Sequence, residues 1–303
     1  MNVKYRDSMT GRKLGPVKQK GIALLQVLLI SAIISVLAMY LTLTSRQQIA
    51  VAKLADDRAN ATLHLKSAES RVIFELLSKD YSISANNPLP KNYNFYAKPI
   101  AIDEYASVEI QDVAGLINIR TPDRLLLRNT LKQLGADENE SSVIVDSLLD
   151  WQDKDDLTRL NGAEKGDYEL GPRNRPISLK TEMQLVKGAK KINWQTLSSN
   201  LSIVQTSYFN PMFAPKPVLQ AFLNSDAESV LNLRELGTLT RAEFSQSTGV
   251  YDNIGVALSP GNIFQITFRV QYGEVTLEKQ RTVKLERYAD KSGTVVENLE
   301  TIW

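Results

Sequence analysis

Six carboxylates fall within eighteen residues of one another: Asp150, Asp153, Asp155, Asp156, Glu164 and Asp167. Clustered carboxylates suit a hard divalent cation, because calcium takes about six to eight oxygen ligands in flexible geometry. Gly162 and Gly166 permit the sharp turns such a loop needs. The spacing is not that of an EF-hand, since the glycine and the terminal glutamate are misplaced. The cluster by itself leaves two readings open: a calcium loop, or a solvated acidic loop in which Asp153 or Asp155 caps a helix end. In the first, Asp153, Asp155, Asp156 and Glu164 are the candidate ligands. The ion would be structural, tying down a loop that otherwise repels itself.

Paired carboxylates also serve glycosidases as acid and base. No nucleophile motif, P-loop or phosphate-binding glycine turn accompanies these, and catalysis is not expected. The chain has no cysteine, which excludes disulfides, thiolate chemistry and thiolate-bound zinc. His64 is the only histidine, so a histidine triad or a multi-histidine metal site has almost nothing to work with. Its place in a helical pattern predicts a surface residue. Trp151, Trp194 and Trp303 are scattered and read as core or interface residues.

Charge is uneven along the 303 residues. Residues 1–20 carry Lys4, Arg6, Arg12, Lys13, Lys18 and Lys20 against Asp7 alone. The rest carries 30 basic and 33 acidic side chains, which gives no nucleic-acid footprint. Ile22 to Leu43 then runs without a charge, and as a helix would span roughly 33 Å, enough for a hydrocarbon core of about 30 Å. The basic flank puts the N-terminus in the cytoplasm and the remaining ~255 residues across the membrane. The run is too long for the core of a cleaved secretory signal. It suits a plain signal anchor, or a segment cleaved on its cytoplasmic side and retained.

Past the run, Ile49, Val51, Leu54, Ala61, Leu65, Ala68, Val72, Ile73, Leu76 and Leu77 recur at spacings of three and four. No proline or glycine interrupts from Ile22 to Ser78, which predicts one helix of ~55 residues. Tyr105 to Asp112 alternates as a strand, and Leu116 to Ile119 reads as a second short one. Helices are predicted from Asp123 to Leu134, Glu140 to Trp151, Leu179 to Val186, Ile192 to Leu201, Pro217 to Asn224, Ala227 to Leu236 and Arg241 to Ser247. Strand character is expected from Leu201 to Phe209, then from Asn253 to Leu258, Ile263 to Tyr272 and Glu274 to Tyr288, with Gly273 in a tight hairpin.

Lys20-Gly21 followed by Ile22-Ala23-Leu24-Leu25 resembles the prepilin-peptidase site of type IV pilins and type II secretion pseudopilins. The resemblance implies cleavage after Gly21 and methylation of the new N-terminus at Ile22. In most pilins the fifth residue after the glycine is a glutamate, matched to the N-terminal ammonium of a neighbouring subunit. Here it is Gln26. A subunit with no neighbour above it would hold an unpaired buried charge at that place, so a neutral residue suits it. Lack of this glutamate is a feature of the K-type minor pseudopilins. Further blocks resemble that family. Asp112-Val-Ala-Gly115-Leu-Ile-Asn118 is similar to its D-x-x-G-x-x-N segment, with Arg120 in place of a second asparagine. Leu148-Leu-Asp150-Trp151-Gln-Asp153-Lys-Asp155-Asp156 resembles L-L-D-W-x-D-x-D. Glu182 to Gly188 resembles E-L-x-x-V-x-G, and Asn210 to Leu219 is a degraded form of another block.

The resemblance implies an α+β fold: a pilin-like N-terminal helix, membrane-spanning in its first half, packed on an antiparallel sheet, with a large mainly α-helical domain inserted between strands. The expected divisions are a leader at 1–21, the membrane or fibre helix at 22–44, a pilin-like helix and first strands at 45–119, the helical insert at 120–250 and closing strands at 251–303. It also implies Ca2+ as a structural ion, and a function at the tip of the type II secretion pseudopilus in the export of folded proteins. Expected partners are other minor pseudopilins, prepilin peptidase, the inner membrane, and the secretin or a secreted substrate. Two alternatives stay open: a signal-anchored periplasmic binding or sensor module, and a minor pilin of a type IV pilus.

Overall fold

The computed structural model describes residues 22–81, 87–169, 171–287 and 295–302. Gly21 and the leader at 1–21, like Trp303, lie outside the described residues. Helix α1 (Ile22–Ser78) runs unbroken for 57 residues, as the absence of helix breakers predicts. The chain divides into two compact units, up to Asp56 and from Asp57 onward.

The first unit is the N-terminal part of α1, and its large apolar side chains from Ile22 to Leu54 are exposed. Ser31, Ser35, Thr42 and Thr44 donate their hydroxyls to carbonyls three or four residues back. These polar groups are thus satisfied within the helix and do not oppose an apolar surrounding. The segment is long and apolar enough to cross a membrane.

In the second unit, the rest of α1 buries Asp57, Ala61, Leu65, Ala68, Glu69, Val72 and Leu76, a stripe at helical spacing. It lies on a five-stranded antiparallel sheet. The strands are β1 (Ile100–Ala101), β2 (Ala106–Asp112), β5 (Ile263–Tyr272), β6 (Val275–Leu285) and β7 (Val296–Ile302), in the order β1-β2-β5-β6-β7. Register pairs Ala106, Val108 and Ile110 of β2 with Val270, Phe268 and Ile266 of β5, and all six are buried. A one-residue slip would turn this row outward and replace it with Glu109 and Arg269, so the apolar alternation fixes the pairing. Gly273 and Glu274 make the β5–β6 turn, as expected. Glu69 of α1 meets Lys279 of β6 at 2.5 Å, with both side chains under 10 % exposed. His64, expected on the surface, is half-buried. Its ring lies 4.7 Å from that of Tyr105 and 5.6 Å from that of Tyr272, because this turn of α1 faces the end of the β2–β5 ladder.

Residues 113–262 leave the sheet after β2 and return at β5. They form α2 (Arg124–Gln133), α3 (Glu138–Gln152), α4 (Trp194–Ser198), α5 (Lys216–Leu223), α6 (Ala227–Leu236) and α7 (Arg241–Thr248), with short 3-10 turns between. Capping explains several boundaries. Asp123 accepts from the Leu126 amide at the start of α2, Asp137 and Glu140 form a reciprocal box on α3, and Thr240 does so with Glu243 on α7. The buried core is continuous from the sheet through this block.

Four local expectations differ. Leu116–Ile119 does not extend the main sheet: β3 (Ile117–Asn118) pairs in parallel with β4 (Leu201–Ser202) inside the insert. The expected strand from Leu201 to Phe209 is only those two residues of β4. Asn253 to Leu258 forms no strand, because the Asn253 side chain accepts from the Gly255 and Val256 amides and curls the chain into a turn. The stretch from Leu179 to Val186 holds a 3-10 turn, Lys180–Leu185, rather than an α-helix.

Candidate cation site and the base of the insert

Asp150 lies in the last turn of α3 and Asp153, three residues on, is the residue that caps its C-terminal end. Asp150 is fully buried. Its Oδ2 accepts from the Ala163 amide at 2.9 Å and the Arg159 amide at 3.2 Å. A Cβ on Gly162 would come within 1.8 Å of that oxygen, so glycine is what lets the loop close over the carboxylate. The loop then brings Glu164 beside them. Carboxylate oxygens of Asp150, Asp153 and Glu164 lie within 4.8 Å of one another. Arg159 Nη1 donates to Asp150 Oδ1 and to Asp153 Oδ2.

Glu164 is 5 % exposed, and among the described residues neither of its carboxylate oxygens has a hydrogen-bond partner; the same holds for Asp153 Oδ1. Burial, followed by the charges of Asp150, Asp153, Asp156 and Asp155, pushes the Glu164 carboxyl above its ordinary range. The hydrogen bonds to Asp153 and Asp150 hold the Arg159 guanidinium still more firmly protonated than usual. Buried acceptor oxygens without donors, among like charges, are a costly arrangement unless a cation joins them. An all-oxygen donor set of this kind fits calcium by ligand type.

Of the four residues expected from the sequence as ligands, the structure brings Asp153 and Glu164 together and adds Asp150. Asp155 and Asp156 are exposed and outside the group. Asp155 accepts from the Leu157 amide at 3.0 Å in a local turn, and Asp156 lies 3.5 Å from the Asn174 amide. Asp167 turns away to Lys187 at 2.7 Å. Sequence reasoning passed over Asp150 as a ligand and Arg159 altogether. The i, i+3 spacing of Asp150 and Asp153 at a helix end was the available signal.

The insert is anchored where it leaves the sheet. Asp112, at the end of β2, is fully buried and accepts from Ala114 N at 3.0 Å, Asn210 Nδ2 at 3.2 Å and Gly261 N at 3.0 Å. These donors belong to the 3-10 turn just after β2, the middle of the insert and its return. Asn210 also bonds the Ser259 carbonyl at 2.9 Å. A Cβ on Gly115 would meet the Phe213 carbonyl oxygen at 2.7 Å, which explains the glycine three residues on. Glu182 accepts from the Ser178 and Leu179 amides at 3.0 Å and meets Arg173 at 2.9 Å. Ile22 and Gln26, at the other end of the chain, are exposed on the first turns of α1.

Residues 111–206 match the family model described as Type II secretion system (T2SS), protein K. Among curated proteins, the chain is 26% identical over 243 residues to type II secretion system protein K of Pseudomonas aeruginosa strain PAO1, covering 71% of this chain and 72% of that protein. It is 24% identical over 212 residues to the putative type II secretion system protein K of Escherichia coli K12, covering 63% of this chain. That alignment spans 64% of the Escherichia coli protein's own length. In fold, it resembles a chain of the crystal structure of the GspK-GspI-GspJ complex from the enterotoxigenic Escherichia coli Type 2 Secretion System. The TM-score is 0.54 at 13% identity, over 83% of this chain and 98% of that one. The matched segment spans the Asp112 anchor and the carboxylate loop, and the frame around it is α+β and pilin-like, so over this segment the chain is similar to protein K of type II secretion.

Proposed function

We propose that this protein caps the tip of a type II secretion pseudopilus, and there supports export of folded proteins across the outer membrane. The observation that carries this is the place of the insert. The block of residues 113–262 leaves the frame beside Tyr81, just past the end of α1, where the Tyr81 and Phe264 rings stand 5.9 Å apart. The opposite end of the frame holds Asp57 and the β5–β6 turn, where Glu274 N lies 3.4 Å from Asp57 Oδ2. A bulky block on that one end obstructs the stacking of a further subunit, while the other end stays open.

Gln26 supports the same reading. A neutral amide near the mature N-terminus suits a subunit that has no ammonium of a neighbour to match. In this reading prepilin peptidase cleaves after Gly21 and Ile22 becomes the methylated N-terminus. The N-terminal part of α1 sits once across the inner membrane with the rest in the periplasm. Other minor pseudopilins assemble against the chain, and the secretin or a secreted substrate meets the tip. Its role is assembly, not catalysis.

Asp150, Asp153 and Glu164 would hold a structural Ca2+. Bound there, the ion would supply positive charge to three carboxylates, of which Glu164 has no hydrogen-bond partner among the described residues. The chain's own part is to fix the loop from 153 to 164 against α3, through the Ala163 and Arg159 amides on Asp150.

The test is mass spectrometry of the mature N-terminus after expression of the full chain with prepilin peptidase, followed by co-purification with candidate minor pseudopilins in detergent. Methylated Ile22 and a stoichiometric complex of single copies support the proposal. An intact Met1 would favour a signal-anchored sensor module. Several copies of this chain stacked along one fibre would overturn the cap.

A further inference from the structure

We infer that Arg159 is a built-in counter-ion of the carboxylate site. It competes with the divalent cation for the same oxygens, and so sets how tightly the site binds. This rests on the calcium reading above and concerns a residue that it does not use.

The oxygens are already divided. Asp150 Oδ2 is committed to two backbone amides, so Oδ1 is the oxygen that Asp150 has left for a cation. Arg159 Nη1 donates to that oxygen and bridges to Asp153 Oδ2. The two outer corners of the site, Asp153 Oδ1 and the Glu164 carboxylate, have no donor among the described residues. The guanidinium therefore satisfies one side of the group and leaves the buried Glu164 unmatched. A calcium ion bonded to Asp150 Oδ1 at about 2.3–2.6 Å would stand next to an Nη1 hydrogen-bonded to the same oxygen. Two cations so close in a poorly solvated site repel each other strongly. The guanidinium must then leave when the ion binds. Its side chain is one-third exposed and stands on an exposed loop, so a path to solvent is open.

The arrangement has a use. Without the ion, three carboxylates on one helix end and loop would repel; Arg159 keeps the loop closed until calcium arrives. Removing its charge should therefore tighten calcium binding and weaken the ion-free state. A residue serving only to pack the loop would weaken both.

The experiment uses the full chain in detergent, stripped with chelator and titrated with CaCl2 by calorimetry, with melting followed in parallel. The variants are Arg159→Gln, Arg159→Lys and Glu164→Gln. Arg159→Gln is expected to bind calcium about ten-fold or more tightly than the parent, to melt lower in chelator, and to recover in calcium. Arg159→Lys, retaining the charge without the planar fork, should fall between them. Glu164→Gln should bind more weakly in either background. Equal or weaker calcium binding by Arg159→Gln overturns the competition while leaving the calcium site standing. No calcium binding by the folded parent and folded Arg159→Gln removes the site and the inference together. If Arg159→Gln folds only in calcium, the counter-ion role is upheld, and the Arg159→Lys affinity completes the comparison.

Discussion

The Glu69–Lys279 pair is the sharpest test of how α1 is held on the sheet. Lys279 sits in the inward-facing row of β6, between Leu277 and Arg281 on one side and opposite Phe268 of β5. A hydrophobic residue would be ordinary there; the lysine is accommodated by Glu69 at 2.5 Å, with side-chain exposures of 7% and 8%. Glu69 also meets the exposed Lys66 at 3.3 Å. Removing one member of a buried pair costs about 3–5 kcal/mol, because the other charge stays desolvated. Glu69→Leu should therefore lower stability by about 3 kcal/mol, the low end of that range, since Lys279 has a further interaction. For a unit of this size that is roughly a 6–12 °C fall in melting temperature. Lys279→Met should cost less, because Glu69 keeps Lys66. The double variant Glu69→Leu/Lys279→Met should regain most of the loss, as apolar replacements of buried pairs often do. Thermal melts of the four proteins, followed by far-ultraviolet circular dichroism, give the cycle. If Glu69→Leu melts within a degree or two of the parent, or the double variant is as unstable as both losses summed, the pair does not hold the helix in this way.

Burial pushes the Asp112 carboxyl up to about 6. A native value above the unfolded one means that its contribution to stability is fully present below the unfolded value and is lost as pH rises through 6, by up to about 3 kcal/mol. A carboxyl-carbon NMR titration of Asp112 should show a midpoint near 6, and a midpoint at or below 4 would refute the burial argument. Gly115→Ala drives a methyl into the Phe213 carbonyl, and should destabilise by about 1–3 kcal/mol in denaturant melts. Gly162→Ala should displace the Asp150 carboxylate and weaken calcium binding by calorimetry, with little change in the helical signal.

The long helix, the β5–β6 hairpin and most insert helices were legible because each is signalled locally. Helix α1 has neither breaker nor competing turn chemistry over 57 residues, and α6 runs from Ala227 to Leu236 as its apolar spacing and Gly237 suggest. Two of the differences share a cause. Leu116 to Ile119 and Leu201 to Phe209 have strand composition, but strand state depends on a partner, and the two segments offer each other only two residues of parallel ladder. At the carboxylate loop, sequence gave the neighbourhood but not the members. Whether Asp155 or Asp150 faces Glu164 is decided by the phase of α3 at its last turn and by the turn that Asp155 makes with Leu157. Arg159 was hidden for a related reason: a basic residue in an acidic loop reads as solvent-facing until the loop is seen to fold back over α3.

The insert itself raises a physical question, since 150 residues are a heavy load to splice into a sheet. Its two ends make this easy. Asp112 and Phe264 are register partners on neighbouring antiparallel strands, so the block occupies the place of a hairpin loop and the ladder need not open. Closing a loop costs only logarithmically more as it lengthens. The insert also supplies its own buried residues, Leu127, Leu131, Ile144, Leu148, Val218 and Phe244 among them, which run on into the core under α1. What must be built at the junction is a fixed angle between block and frame. Asp112 does this by gathering amides from the outgoing chain, the middle of the insert and the returning chain, while Gly115 allows the Phe213 backbone to lie against the exit. A flexible tether would let the block swing aside. A buried three-way anchor holds it over the end of the frame, as the proposed terminal position requires.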